Sequence, residues 1–144
     1  MTNVDRDMVL RLIEEVSDYL SSLKEICKLS IDEYLSDRRN PYTLRYLLIV
    51  IVESSSKIAV SILERDFGVL PRGYRESFTE LYRKGVVRPS VGTRMEKLAS
   101  LRNMLVHRYW EVDDLRLYEE ARGGGIEAIE SFLGEVRAYV SKDP

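Results

Sequence analysis

With 144 residues, 44% hydrophobic and 32% charged, the chain is sized and composed for one domain with its own core, spanning residues 1–144. A net charge of −2 argues against a generic nucleic-acid binder, and a single cysteine, Cys27, excludes an internal disulfide and reads as an inert buried thiol in a cytoplasmic protein. The longest apolar run, Tyr46 to Val52, is seven residues between Arg45 and Glu53, far short of the roughly 20 a membrane helix needs, and the acidic start (Asp5, Asp7, Glu14, Glu15) has no signal-peptide core.

Apolar residues recur at three- and four-residue steps almost throughout, which predicts an all-α, up-and-down bundle of about five helices. Val9, Leu12, Ile13, Val16, Leu20 and Leu23 mark one amphipathic helix from about Val4 to Cys27. Ser30 with Glu33 reads as a capping box for a short helical turn. Asn40-Pro41 reads as N-cap and first residue of a long helix that Gly68 stops after Phe67. Its middle, Leu47 to Val52, is apolar on every side, which asks for burial against a second subunit as well as the core. After a Pro71-Arg72-Gly73 loop, Tyr74 to Lys84 predicts a short helix with Phe78, Leu81 and Tyr82 inward and Gly85 at its end. Pro89-Ser90 opens the next helix, and Asp113-Asp114 caps a last one with Leu117, Ile126, Ile129, Phe132, Leu133, Val136 and Val140 inward. Gly123-Gly124-Gly125 inside that last helix implies a break, kink or frayed joint.

Charge is unevenly spread. From Arg72 to Arg108 nine basic residues face three acids, a local +6 that leaves −8 for the remainder. Such a segment can hold a polyanion, with Arg94, Lys97 and Arg108 as RNA-binding candidates; a solvated helix surface is the plain alternative.

The basic segment ends in Arg102, Asn103, the protein's one histidine, His107, and Tyr109. An imidazole titrates near neutral pH and a guanidinium is a planar, permanent donor fork for phosphate, so together they suit phosphodiester cleavage. With Arg102 at zero on a helical wheel, Asn103 lies at roughly 100°, His107 at roughly 140° and Tyr109 at roughly −20°, while Leu98, Leu101 and Leu105 fall at roughly 260–320°. The wheel thus buries the leucines, presents Asn103 and His107 together, and puts Tyr109 beside Arg102. Asn103, four residues before His107, can fix the imidazole tautomer or hold a phosphate oxygen. Trp110 reads as core rather than as a base-stacking platform.

The segment Leu101 to Asp113, with Arg102, Asn103, His107 and Tyr109, resembles the signature of HEPN-domain proteins, specifically the HepT-like toxins: Arg, four residues, His, any residue, Tyr. Tyr74 to Leu81, the helix with Phe132, and Glu53 are similar to the same family, whereas the glycine triplet is not typical of it. The resemblance implies a homodimeric bundle with two motifs facing one cleft, and the toxin of a type II/VII-like toxin–antitoxin pair. It also implies a metal-independent endoribonuclease without a cofactor, and a cognate minimal nucleotidyltransferase antitoxin that transfers AMP to Tyr109. In such chemistry His107 takes the 2′-hydroxyl proton and Arg102 neutralises the phosphoryl oxygens. The residues present suggest no metal set, and one histidine per chain gives an independent reason for a dimer, since two proton-transfer groups are wanted. The alternative is a non-catalytic nucleotide-binding module or partner subunit of a nucleotidyltransferase.

Overall fold

Asp5 opens α1 (Arg6–Ile26) by accepting a hydrogen bond from the Met8 amide at 3.1 Å, and Val9, Ile13, Val16, Leu20 and Leu23 form its buried stripe. The computed structural model describes residues 5–142, so the expected start at Val4 lies outside the described residues. Ser30 and Glu33 form the expected reciprocal capping box of α2 (Ile31–Leu35).

The long helix, α3 (Arg39–Phe67), starts before the Asn40-Pro41 signal, with Arg38 as the residue that precedes it. Asn40 does not cap the helix. Its Nδ2 donates back to the carbonyls of Glu33 (3.2 Å) and Tyr34 (3.4 Å) at the end of the short α2. Asp37 serves the new helix instead, accepting from the Arg39 amide at 2.9 Å. Hydrogen bonds from the Arg39 side chain, and then from its amide, hold the Asp37 carboxyl at about 2. At the far end Gly68, with φ +63°, stops the helix where expected.

α3 is the central element, packed against α1, α4 (Tyr74–Arg83) and α5 (Pro89–His107). By length and composition alone it could cross a membrane, with an 18-residue window of mean hydropathy 1.8, yet 61% of that window is buried inside the bundle. The chain's own helices bury Leu47, Leu48, Ile51 and Val52, leaving Ile49 and Val50 half-buried. The apolar middle of α3 is therefore largely accounted for within one chain.

Where α4 meets α5, Gly92 is buried under Tyr82: a Cβ built on Gly92 would lie 2.3 Å from the Tyr82 ring and 2.9 Å from its Cβ. Gly92→Ala gains about 1 kcal/mol of helix propensity. It must also push two packed helices apart, and overpacking of this kind costs about 1–3 kcal/mol. The expected net result is a lowered denaturation midpoint in urea with an unchanged slope; a raised midpoint would show that Tyr82 turns away freely.

Asp113 caps α6 (Asp114–Glu120), accepting from the amides of Leu115 and Arg116. The expected single last helix is two, because Ala121–Gly125 forms a wide turn with Gly124 at φ +153°, a backbone that only glycine adopts readily. The break lets α6 and α7 (Ile126–Val140) dock on different neighbours. Tyr118 of α6 stacks on Tyr34 at 4.0 Å, and its hydroxyl donates to the carbonyls of Ile26 and Leu29. α7 packs on α1 and α5, and its Phe132 meets the Phe78 ring of α4 edge-on at 5.5 Å. The described residues thus hold seven α-helices and no strand: the short capped turn and the glycine joint raise the count above five. Cys27 is half-buried rather than buried, and burial pushes its thiol up against the lowering influence of Arg122.

Candidate active site

α5 carries the motif as a helix to His107 and no further. Leu98 and Leu105 are buried and Leu101 half-buried, so the leucine side faces inward as its spacing demands. At Arg108 the backbone leaves the helix (φ −142°, ψ 47°), and Tyr109–Glu111 forms a separate 3₁₀ turn. This corrects the placement of Tyr109 on one stripe with Arg102: the wheel applies only where the helix continues. The turn is tied elsewhere. Arg45 of α3 donates from Nη1 to the Tyr109 carbonyl (2.9 Å) and from Nη2 to the Val112 carbonyl (3.0 Å).

Arg102 does not sit on an open face. Its side chain is 12% exposed, and both Nε (3.1 Å) and Nη2 (2.5 Å) donate to Oε2 of Glu53 on α3. The guanidinium lies over the Tyr74 ring, 4.4 Å from its centre, and Nη1 donates to Asn103 Oδ1 at 3.2 Å. Three of the five guanidinium N–H groups are used, which leaves one on each terminal nitrogen for a two-point grip on an anion. Asn103 therefore partners Arg102, its chain neighbour, rather than His107. His107 is exposed at the last turn of α5. Five residues of helix separate it from Arg102, roughly 140° around the axis, so within one chain the two side chains leave the helix in different directions.

Trp110 is 68% exposed, contrary to the expectation that it is core, and meets the Tyr109 ring edge-on at 5.2 Å. Tyr109 is 59% exposed, as are Tyr42 (61%) and Tyr46 (58%) on the stretch of α3 that Arg45 ties to this turn.

The basic segment is less positive in space than along the chain. Arg88 pairs with Glu135 at 2.8 Å, Arg94 with Glu127 at 3.9 Å and Arg108 with Glu111 at 3.4 Å, so acids from α7 and the 3₁₀ turn offset charges counted as excess. Two of the three RNA-binding candidates line a cleft that the third does not. Arg94 and Lys97 line a cleft of about 980 Å³ between α5 and the glycine joint, a cleft that Arg102 and His107 do not line. Arg108 stands beside the motif at the end of α5. A second cavity of about 450 Å³ reaches Glu53 and Tyr74, the two residues that hold Arg102. Of the supporting residues, Tyr74 and Glu53 belong to the parts of the sequence that resemble the family, while Arg45 is legible only as a charge bracketing an apolar run.

The model of the ribonuclease HepT-like family matches residues 16–136. The chain belongs to this family. The tRNA nuclease HepT of Aphanizomenon flos-aquae (strain 2012/KM1/D3) is 27% identical over 118 residues, which cover 82% of this chain and 80% of that protein. Among solved structures, the tri-AMPylated HEPN toxin of Shewanella oneidensis, in complex with its MNT antitoxin, superposes with a TM-score of 0.83 at 20% identity, covering 92% of this chain and 98% of that one. YutE, a cytosolic protein of unknown function from Bacillus subtilis, superposes with a TM-score of 0.81 at 18% identity, covering 97% and 93%. The all-helical HepT-like fold is thus the common ground. The glycine joint falls inside the matched region.

Proposed function

We propose that this chain is the toxin of a toxin–antitoxin pair, a metal-independent endoribonuclease whose site combines Arg102 and His107 across a two-fold dimer. The observation that carries it is the held guanidinium of Arg102, with two N–H groups left, on the same helix as an exposed imidazole. RNA brings its own nucleophile. The 2′-hydroxyl gives its proton to His107 Nε2 or Nδ1, and the oxygen attacks the adjacent phosphorus. The 5′-oxygen leaves as a hydroxyl after taking a proton, and a 2′,3′-cyclic phosphate remains. Arg102 balances the charge that grows on the phosphoryl oxygens. No step needs a Lewis acid to make a nucleophile.

A dimer supplies what one chain lacks. The two side chains diverge around α5, and one imidazole cannot be both base and acid in a single pass. A two-fold mate brings a second His107 and a second Arg102 to one phosphate. Exposed Tyr42, Tyr46 and Val106 support a covered face near the end of α5, beside the turn on which Tyr109 stays open. Arg94, Lys97 and Arg108 are exposed cations, and we assign them to phosphates of the RNA away from the scissile one. The family relative named as a tRNA nuclease makes tRNA the first substrate to try.

The partner is a minimal nucleotidyltransferase, and Tyr109 is the acceptor through which it silences the toxin; a tri-AMPylated toxin in complex with an MNT antitoxin, from Shewanella, supports this reading. The phenol oxygen attacks the α-phosphorus of ATP, pyrophosphate leaves, and a nucleotide then stands on the turn that directly follows His107. Peptide mass spectrometry after incubation with the partner and ATP is expected to find AMP added at Tyr109, and Tyr109→Phe is expected to cleave RNA at the parent rate yet escape silencing. An adduct confined to another residue would contradict the assignment.

A further inference from the structure

Arg45 takes no part in the proposed cleavage, yet all three of its guanidinium nitrogens are engaged on the segment from Tyr109 to Asp114. Nε donates to Asp114 Oδ1 at 2.7 Å, Nη1 to the Tyr109 carbonyl at 2.9 Å and Nη2 to the Val112 carbonyl at 3.0 Å. The Arg45 side chain is 19% exposed, and that of Asp114 33%. One side chain therefore ties the first residue of the 3₁₀ turn, the residue after it and the first residue of α6 to the central helix. The Tyr109 ring, by contrast, stays 59% exposed. The backbone under the phenol is fixed while the phenol itself faces outward.

Building on Tyr109 as the acceptor of the transfer, we infer that Arg45, steadied by Asp114, is a positioning residue for adenylylation and not for RNA cleavage. In the transfer the phenolic oxygen forms a bond to the α-phosphorus of a nucleoside triphosphate, the bond from that phosphorus to the bridging oxygen of the β-phosphate breaks, and pyrophosphate departs with the phenolic proton passing to solvent. Arg45 touches none of these atoms. What it supplies is one backbone geometry for an acceptor that must enter another protein's active site, where reacting atoms have to meet at about 3–3.5 Å and a misplacement of about 1 Å costs on the order of 100-fold. The fork geometry matters because three acceptors lie in one plane's reach; lysine offers charge but a single compact head. His107 belongs to α5, whose own helical bonds hold it, so cleavage does not depend on the clamp.

The test uses the full chain with its partner nucleotidyltransferase and ATP, in the parent, Arg45→Ala, Arg45→Lys and Asp114→Asn. Initial rates of AMP addition at Tyr109 are measured across toxin concentrations by peptide mass spectrometry, alongside RNA cleavage by the unmodified proteins. For Arg45→Ala the expected kcat for addition falls about 10–100-fold with KM within about threefold, and cleavage also stays within about threefold. Arg45→Lys is expected to recover part of the rate, and Asp114→Asn, which leaves the two carbonyl bonds, to lose less than Arg45→Ala. Amide exchange at Glu111 and Val112, whose hydrogen bonds close the turn, is expected to quicken in Arg45→Ala and Arg45→Lys. If Arg45→Ala is not soluble, Arg45→Lys carries the same comparison. Addition at the parent rate overturns the inference while leaving Tyr109 as the acceptor. Equal losses of addition and cleavage also overturn it, because the clamp then only holds the fold. A parent protein that takes no AMP at Tyr109 overturns both.

Discussion

Alanine at His107 is expected to lower RNA cleavage about 10²–10⁴-fold, the usual worth of a positioned proton-transfer group, with circular dichroism and melting temperature close to the parent. The fold has little stake in the imidazole, which is exposed at the end of α5. Arg102→Ala is expected to lose as much, for another reason: the two remaining N–H groups of a guanidinium fixed by Glu53, Tyr74 and Asn103 are preorganised for the transition-state charge. Arg102→Lys should fare little better, because an ammonium cannot hold Glu53 and grip a phosphate on two points at once. Chelator should leave cleavage unchanged. The measurement is gel or mass analysis of tRNA products, which should end in 2′,3′-cyclic phosphate and 5′-hydroxyl. Cleavage by His107→Ala at the parent rate, or its loss in chelator, would falsify the mechanism. Products ending in 3′-hydroxyl would do the same.

The second large effect is expected at a residue that touches no substrate. Glu53 anchors Arg102 through one oxygen that accepts from both Nε and Nη2, in a pair that is mostly buried. Glu53→Ala frees the guanidinium to swing by an ångström or more, and kcat should fall on the order of 100-fold. Glu53→Gln keeps the shape and one acceptor but loses the charge-assisted bond, so a smaller loss is expected. A mutational cycle with Arg102→Ala separates the outcomes: once Arg102 is gone, Glu53→Ala should cost little more. Additive losses in that cycle would show that Glu53 acts independently of Arg102.

The helical fold was legible because period is a local property. The stripe Val9, Ile13, Val16, Leu20, Leu23, the Ser30–Glu33 box and the Gly68 stop each depend on residues within a few positions, and each stands where its spacing put it. Asn40 shows where local signals fail. It has the chemistry of an N-cap, but the last carbonyls of α2, which ends five residues earlier, compete for its amide. The all-round apolar middle of α3 was legible as buried on more than one face, while the identity of the covering partner was not: α1, α4 and α5 do most of it.

The candidate site divides in the same way. Sequence alone singled out the residues proposed for the chemistry, because there is one histidine in 144 residues and an arginine five positions before it, and the ordinary proton affinity and donor geometry of a side chain belong to its residue type. It also determined that the glycine triplet interrupts a helix, since that cost is paid within the segment itself. Only the tertiary structure decided that Arg102 is gripped by an acid 49 residues away, that the helix ends at His107 so that Tyr109 departs from the wheel, that Trp110 is exposed, and that the basic segment is offset by Glu127 and Glu135. The physical reason is common to all four. Each depends on partners distant along the chain, and neither helical period nor a running sum of charge contains the folding that brings them within a hydrogen bond's reach.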